Sequence, residues 1–170
     1  MSQVTNTSSL SSIMDTIDLG PTGSVQMMFA KLQLAQSEIC KAQAEDYMSQ
    51  IEDIQKEQEE CAKMIEMARE LQNEAKTSDK CTTMPTEMVE YFDKHGLSEE
   101  STGNDHLHDK DEWDYNLKSL TNYQETIGNK TQTLMVYLQD FIGQYNSYLQ
   151  GANTQIANAN QTLTNLARGQ

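Results

Sequence analysis

The residues best suited to chemistry lie together in one acidic stretch, SEESTGNDHLHDKDE, at residues 98–112. Imidazole and carboxylate groups are common metal ligands in proteins. The potential ligands in this stretch are Asp105, His106, His108, Asp109 and Asp111. However, a His-x-His pair in a flexible loop lacks a second pair of ligands held by another element. We therefore expect a solvated loop at these residues, with no metal and no other cofactor.

Other signatures of catalysis are missing from the sequence. It contains no Gly-rich phosphate-binding loop, no nucleophile elbow and no HExxH motif. We therefore expect a protein that is not an enzyme. A metal-dependent enzyme that uses His106 and His108 is the one catalytic alternative, and the metal content of the purified protein would test it.

The acidic stretch is followed by a long amphipathic helix, which the sequence predicts at residues 113–167. Its apolar residues recur at alternating steps of four and three, with one extra step of four, and so form a seam that favours a partner helix. The seam consists of Trp113, Leu117, Leu120, Gln124, Ile127, Thr131, Leu134, Leu138, Phe141, Tyr145, Tyr148, Ala152, Ile156, Ala159, Leu163 and Leu166. A helix of about 54 residues extends roughly 80 Å and cannot bury this seam by itself.

A second seam of the same period predicts a helix at residues 25–76, with Ser24 as its N-cap. Its members are Val25, Met28, Leu32, Ala35, Ile39 and Ala42 and, after a slip of one position, Tyr47, Ile51, Ile54, Gln58, Cys61, Ile65, Ala68 and Ala75. The similar lengths of the two helices predict an all-α fold, in which two long antiparallel helices form a coiled-coil hairpin. Pairing of each seam with another chain is the alternative.

The segments outside the two long helices are short. Residues 1–24 are rich in Ser, Thr and Asn, which predicts a flexible leader with at most a short turn at residues 13–19 and a Gly-Pro-Thr-Gly turn at residues 20–23. Residues 77–112 form a small insert between the helices. In it we expect a short helix that opens with Pro85 at its first position and stops at Gly96, followed by the acidic loop.

The composition argues against nucleic acid as a partner and against a membrane-spanning segment. The first residues argue against a signal peptide that is cleaved off. The formal net charge of -14 is unsuited to nucleic acid, because binding phosphates requires a basic surface. No apolar run is long enough to span a membrane. The first residues lack the basic start and apolar core of a cleavable secretory signal.

The three cysteines, Cys40, Cys61 and Cys81, have no CxxC spacing. Cys40 and Cys61 lie roughly 31 Å apart along one predicted helix, so they cannot form a disulfide within it. We therefore expect each cysteine to be a small buried apolar residue.

The second half of the C-terminal helix is almost free of charge, since Asp140 is the only charged residue between positions 131 and 167. Solvated helices usually carry Glu and Lys pairs outside. The uncharged amides and hydroxyls of this segment therefore favour close packing between helices in an assembly, or the lining of a passage through which other chains move. The alternative is a helix end that frays in the monomer. The residues predicted for self-assembly are Met28, Leu32, Ile39, Leu134, Leu138, Phe141, Tyr145, Tyr148, Ile156 and Leu163.

Three stretches of the sequence resemble one known family. They are MMFAKLQLAQSEICKAQAED at residues 27–46, MPTEMVEYFDKHGL at residues 84–97, and the uncharged, Asn- and Gln-rich C-terminal coiled coil. Together they resemble the EspA/SseB-like family of type III secretion filament and translocon proteins from Gram-negative bacteria. The chain is somewhat short for that family, and its insert is small and acidic, so the choice between filament and needle-tip protein stays open.

The resemblance implies a secreted structural subunit. Members of this family pass through the secretion needle and assemble through their terminal helices into a surface appendage, through which translocator and effector proteins reach host cells. A dedicated cytoplasmic chaperone holds the monomer before export, and the leader at residues 1–24 is compatible with an uncleaved export signal. The implied partners are thus further copies of the chain, the needle, translocator proteins and a chaperone. An intracellular coiled-coil chaperone or regulator of a secretion component, which forms a small stable oligomer, is the alternative.

Overall fold

The computed structural model describes residues 9–19, 24–100 and 102–169. Four helices account for most of them: α1 (Leu10–Thr16), α2 (Val25–Ser78), α3 (Thr86–His95) and α4 (Lys110–Arg168). Two short strands, β1 (Thr82–Thr83) and β2 (Leu107–His108), pair in antiparallel orientation, and a single 3-10 turn covers Thr102–Asn104. The long helix α2 packs against the long helix α4, which confirms the predicted all-α class.

The chain divides into two compact units that contain equal numbers of residues. Unit 1 comprises Met1–Ser49 and Met135–Gln170, and unit 2 comprises Gln50–Leu134. Helices α2 and α4 each contribute to both units, whereas α3 and the two strands belong to unit 2 alone.

Helix α1 replaces part of the predicted flexible leader. It runs over seven residues, where the sequence predicted at most a short turn, and Ser9 caps its start by accepting a hydrogen bond from the Ser12 amide at 3.3 Å. It ends at Thr16, before the position where the predicted turn at residues 13–19 would finish. The Gly-Pro-Thr-Gly turn at residues 20–23 lies outside the described residues.

Helix α2 begins where the sequence predicts. The Ser24 hydroxyl accepts a hydrogen bond from the Met27 amide at 3.2 Å, so the predicted N-cap is confirmed. The helix ends at Ser78, two residues later than predicted, and Asp79 then adopts a left-handed conformation with φ of 53°. The Lys80 amide donates back to the Ala75 carbonyl at 3.3 Å, which closes the last turn.

Helix α3 forms in the insert, with one difference in detail from the sequence prediction. Pro85 is the N-cap residue, with extended backbone, and does not occupy the first helical position. Gly96 ends the helix as predicted, in a left-handed conformation with φ of 64° that glycine adopts without steric cost. Met88 and Phe92 face the interior of unit 2.

Helix α4 starts at Lys110, three residues before the predicted position. The Asp109 carboxylate accepts hydrogen bonds from the amides of Asp111 and Glu112 at 2.8 and 2.9 Å. Glu112 in turn accepts from the Asp109 amide at 2.8 Å, which completes a reciprocal capping box. The last part of the predicted acidic loop is therefore helical.

Large side chains form the core of unit 2. Trp113, Leu120 and Phe92 are fully buried, and Ile65 and Ile127 are nearly so. The indole N–H of Trp113 donates to the Thr82 hydroxyl at 2.7 Å, and this bond ties the start of α4 to β1. The insert therefore packs on the two long helices through a core that contains Trp113, the largest aromatic side chain of α4.

Small side chains fill the interior of unit 1. Its buried residues are Ala30, Ala35, Ser37, Cys40, Ala44, Ala152 and Ala159. At Gly151, an added Cβ would lie only 2.7 Å from the Gln33 side chain, so the amide end of this glutamine packs directly on α4. The absence of a side chain at Gly151 provides the space for it.

The cysteines match the sequence prediction in two cases of three. All three are free thiols, and Cys40 and Cys61 are buried as expected. Cys81 is exposed, contrary to prediction, because it lies in the turn between α2 and β1. Among the described residues, no helix combines the length and apolarity that crossing a membrane requires.

Candidate functional site

The most prominent surface feature is a set of exposed apolar side chains in unit 1. Of the twelve large hydrophobic residues that the described part of the chain leaves exposed, ten belong to this unit. They are Val25, Met28, Phe29, Met48, Met135, Val136, Tyr137, Ile142, Leu163 and Leu166. We call them the unit 1 apolar set. Exposed apolar residues in such concentration mark surfaces that bind another protein.

The local sequence explains why these side chains stay outside. Residues 134–138 read Leu-Met-Val-Tyr-Leu, and five consecutive apolar residues cannot all lie on one face of a helix. Leu134 takes the buried position and Leu138 a half-buried one, whereas Val136 is 64% exposed. The apolar content of this segment therefore exceeds what contact with one partner helix can cover.

Three aromatic rings cluster beside this segment. The ring of Tyr47 stacks on Phe141 at a centroid distance of 5.5 Å and lies 5.7 Å from Tyr137. Aromatic pairs at such distances add about 0.5–1.5 kcal/mol beyond the area they bury. The cluster holds Tyr137 in place although this side chain is 48% exposed.

An apolar groove of about 290 Å³ lies farther along the same two helices of unit 1. Its apolar lining comes from Ala44 and Met48 of α2 and from Ile142 and Tyr145 of α4. Met48 and Ile142 are both members of the unit 1 apolar set. The groove therefore offers a recess into which a side chain of another chain can fit.

The residues predicted for self-assembly are spread over all degrees of burial. Met28 and Leu163 are exposed, and Leu134 is buried in unit 2. The remaining seven are half-buried in unit 1: Leu32, Ile39, Leu138, Phe141, Tyr145, Tyr148 and Ile156. Most of the residues predicted for self-assembly are therefore already partly covered within the chain.

Sequence reasoning missed most of the exposed set because it followed the seam alone. Phe29, Met135, Val136 and Ile142 each lie one or two positions beside a seam residue. The signal was present, since consecutive apolar residues on one helix predict a second apolar face.

A cluster of titratable groups lies in unit 2, where the sequence predicted a solvated loop. That prediction is wrong for His108, which is only 1% exposed because β2 pairs it with Thr82 of β1. Its Nε2 lies 3.1 Å from the Glu99 carboxylate, and its ring contacts Trp113 edge-to-face at 5.1 Å. The other potential ligands of the loop, Asp105, His106, Asp109 and Asp111, are exposed as expected.

Hydrogen bonds set the charge of the groups around His108. The hydroxyl and amide of Thr102 both donate to Glu100 and lower the pKa of that carboxyl. The amides of Glu112 and Asp111 likewise lower the pKa of Asp109. The Glu99 carboxylate, which accepts from His106 Nδ1 at 2.7 Å, raises the pKa of that imidazole. The cluster is therefore rich in carboxylates at neutral pH.

A second polar network lies half-buried under α3. The Tyr123 hydroxyl donates to the Glu57 carboxylate, and its oxygen lies 2.5 Å from His95 Nδ1. Burial, together with the Glu57 hydrogen bond, raises the pKa of the Tyr123 phenol. Burial also raises the pKa of the nearby Tyr91 phenol and of the Cys61 thiol. The two phenols and the thiol are therefore neutral at physiological pH, and they contribute here by hydrogen bonding and packing under α3.

A comparison with known protein families, with characterised proteins and with solved structures finds no match to the chain. The function is therefore argued from the residues of the chain and from their arrangement.

Proposed function

We propose that this protein is a structural subunit that assembles with further copies of itself through the unit 1 apolar set. The concentration of exposed apolar side chains on unit 1, against two on unit 2, is the observation that carries this proposal. At about 25 cal/mol per Å² of apolar area, covering several such side chains in each chain is enough to hold an assembly together.

The charge distribution supports a second copy as the partner. The chain has a net charge of -14, so two copies repel each other wherever their acidic faces meet. The part of α4 that belongs to unit 1 carries Asp140 as its only charge before Arg168, and copies can therefore approach along it with little repulsion. Interface cores are generally depleted of charged residues, as this segment is.

We infer in addition that α2 and α4 run antiparallel, as in a coiled-coil hairpin. In unit 1, Gln33 contacts Gly151 and Cys40 contacts Gln144, so the partner number falls as the α2 number rises. In unit 2, Gln58 bonds to Thr131, and Gln72 bonds to Asp114, which gives the same order.

The resemblance to the EspA/SseB-like family adds a proposal for where the assembly forms and for which proteins pass along it. The subunit would be exported through a type III secretion needle without cleavage and would form a filament or tip complex on the bacterial surface. Translocator and effector proteins would pass along it. The support is the resemblance of three stretches, one of them the uncharged C-terminal helix, together with a Ser-, Thr- and Asn-rich start.

Two tyrosines of α4 allow a matched test of self-assembly. Tyr115 in unit 2 and Tyr137 in unit 1 are 49% and 48% exposed. We expect Tyr137→Glu to abolish assembly, because the new charge would have to be buried between copies. We expect Tyr115→Glu to assemble like the unchanged protein. Negative-stain electron microscopy and light scattering over a concentration series measure both.

The outcomes separate the candidate functions. Uniform filaments or large assemblies that grow with concentration, and that Tyr137→Glu abolishes, support the proposal. If Leu138→Glu, Phe141→Glu and Tyr137→Glu all left assembly unchanged, unit 1 would not be the interface. A stable small oligomer at every concentration would favour the intracellular chaperone or regulator.

Export requires a separate measurement. We expect residues 1–24 fused to a reporter to leave bacteria that possess an active type III secretion system, and to stay inside an isogenic strain that lacks its export ATPase. Retention in both strains would contradict the export proposal while leaving self-assembly intact.

A further inference from the structure

We propose that Glu100, His108 and Glu112 form a binding site for a divalent transition-metal ion of the Zn²⁺ type. One ring nitrogen of His108 and one oxygen from each of the two carboxylates lie within 4.8 Å of one another. The three residues come from three different elements of unit 2: the segment after α3, strand β2 and the first turn of α4. This inference is independent of self-assembly, and it reverses the expectation from the sequence that the protein holds no metal.

His108 is the residue that points to a ligand. Its side chain is 1% exposed, and its Nδ1 is buried without a hydrogen-bond partner among the described residues. A buried polar atom without a partner costs about 1–3 kcal/mol. Because Glu99 engages the other ring nitrogen, Nδ1 is the nitrogen that remains for a ligand. A metal ion bonded to Nδ1 would satisfy it.

Glu99 provides the hydrogen-bond acceptor that a metal-binding histidine usually has at its second ring nitrogen. Histidines that bind metal commonly donate their second ring N–H to a carboxylate, which fixes the tautomer and orients the ring. The Glu99 oxygen lies 3.1 Å from His108 Nε2, so the proton is held on Nε2 and the lone pair falls on Nδ1. The edge-to-face contact with Trp113 fixes the ring plane as well.

The two carboxylates are also held in place by their surroundings. The buried Asn116 side chain accepts a hydrogen bond from the Glu100 amide at 2.7 Å, which positions the backbone of Glu100. Glu112 is fixed by the capping box at the start of α4. Two ionised carboxylates this close repel each other, and a cation between them removes that repulsion.

The donor set selects the class of metal. One imidazole nitrogen with two carboxylate oxygens suits Zn²⁺ and its neighbours better than Ca²⁺ or Mg²⁺, which prefer oxygen alone. Bonds of about 2.0 Å place tetrahedral ligands about 3.3 Å apart, so the glutamate side chains would move inward by rotation. Water would occupy the fourth position.

The single tryptophan reports binding directly. Trp113 is the only tryptophan of the chain, and its ring centre lies 5.1 Å from that of His108. We would titrate ZnCl₂ into the untagged full chain and follow Trp113 fluorescence, with calorimetry for the stoichiometry. Thiolates are Zn²⁺ ligands and Cys81 is exposed, so all samples carry Cys81→Ser to remove a competing ligand. We expect one saturable Zn²⁺ per chain and a change in Trp113 emission.

Three variants locate the ion. Glu112→Gln removes a ligand charge but keeps an oxygen that accepts from the Asp109 amide, so the capping box and the helix survive. We expect it to weaken Zn²⁺ binding at least about tenfold, and Glu99→Gln to weaken it about 10–100-fold. Glu125→Gln is the matched control, since it makes the same change at an exposed glutamate of α4 that lies outside the triad. We expect its affinity to stay that of the parent protein.

Each outcome decides the proposal. Saturable binding of one ion that Glu112→Gln weakens and Glu125→Gln leaves unchanged would support the site. No saturable Trp113 signal at millimolar Zn²⁺ would overturn it. Binding that Glu112→Gln does not weaken, or that Glu125→Gln weakens equally, would also overturn it, because the ion would then sit elsewhere on the acidic surface.

Discussion

Units 1 and 2 contain equal numbers of residues but divide their side chains between interior and surface in opposite ways. Unit 2 buries large side chains, including Trp113, Phe92 and Leu120, and leaves only Leu107 and Tyr115 exposed among its large hydrophobic residues that the structure describes. Unit 1 fully buries only Ala, Ser and Cys, and it leaves its large apolar residues half-buried or exposed.

This difference assigns different roles to the two parts of the same helices. Burying a large apolar side chain contributes about 1.5–3 kcal/mol, and an alanine contributes far less. Unit 2 therefore draws its stability from its own core. Unit 1 is expected to gain much of its stability only when other chains cover its large side chains.

The largest expected effect tests this division with one substitution in each unit. Leu120 of unit 2 is fully buried, and Leu163 of unit 1 is 63% exposed. Leu120→Ala should lower the free energy of unfolding by about 2–5 kcal/mol, because it opens a cavity. Leu163→Ala should change it by less than about 0.5 kcal/mol. Urea unfolding at low protein concentration, in the Tyr137→Glu background, measures both values on the monomer.

In contrast to the stability of the monomer, assembly should depend on Leu163. Leu163→Ala in the otherwise unchanged chain should raise the concentration at which assemblies form. A loss of monomer stability at Leu163 as large as that at Leu120 would contradict the comparison, since Leu163 would then be buried within a single chain.

The sequence predicted the long helices well because their signals are local and repeated. The seam of apolar residues placed α2 and α4 to within three residues at each end, and the side chain of Ser24 and the backbone of Gly96 marked two caps. The capping box of Asp109 and Glu112 was also readable from their spacing, and overlooking it placed the start of α4 too late.

The predictions failed where structure depends on pairing between distant residues. Strands β1 and β2 have two residues each, which is too short for any alternation to show. Their pairing brings His108 beside Thr82, 26 positions earlier, and so buries a histidine that looked solvated. The candidate metal site depends on that burial, and the sequence therefore could not reveal it.

The next effect concerns the half-buried polar network that unit 2 has under α3. Tyr123→Phe should lower the free energy of unfolding at neutral pH by about 1–3 kcal/mol, because Glu57 and His95 both lose a partner. Tyr91→Phe is the matched control. The Tyr91 hydroxyl is buried without a hydrogen bond of ordinary geometry, so its removal should cost little or stabilise the protein.

The two tyrosines also predict a pH dependence. Burial raises the pKa of both phenols above the ordinary value of about 10, so between these values the unfolded chain releases protons that the folded chain keeps. Their contribution is therefore fully present below about pH 10 and is lost as the pH rises beyond it. Tyr91→Phe should show a shallower loss of stability above pH 10 than the parent protein. An unchanged alkaline slope would mean that Tyr91 is solvated.

The smallest expected effect tests whether α2 and α4 of unit 1 already pack against each other in the free monomer. Gly143 and Gly151 both lie within α4, where glycine costs about 0.8–1.0 kcal/mol relative to alanine. An added Cβ at Gly143 meets no atom within 4 Å, so Gly143→Ala should raise the free energy of unfolding by about 0.5–1 kcal/mol. At Gly151 the Cβ would lie 2.7 Å from Gln33 Oε1, and the Gln33 side chain must move away.

Gly151→Ala should therefore gain at least about 0.5 kcal/mol less than Gly143→Ala, measured by urea unfolding of the monomeric Tyr137→Glu background. Gln33→Ala removes the obstructing side chain, and in that variant the two substitutions should become equivalent. Equal gains without Gln33→Ala would mean that the helices of unit 1 separate in the free monomer. The small residues of unit 1 would then meet only once neighbouring copies hold the helices together, and the contrast with unit 2 would be sharper still.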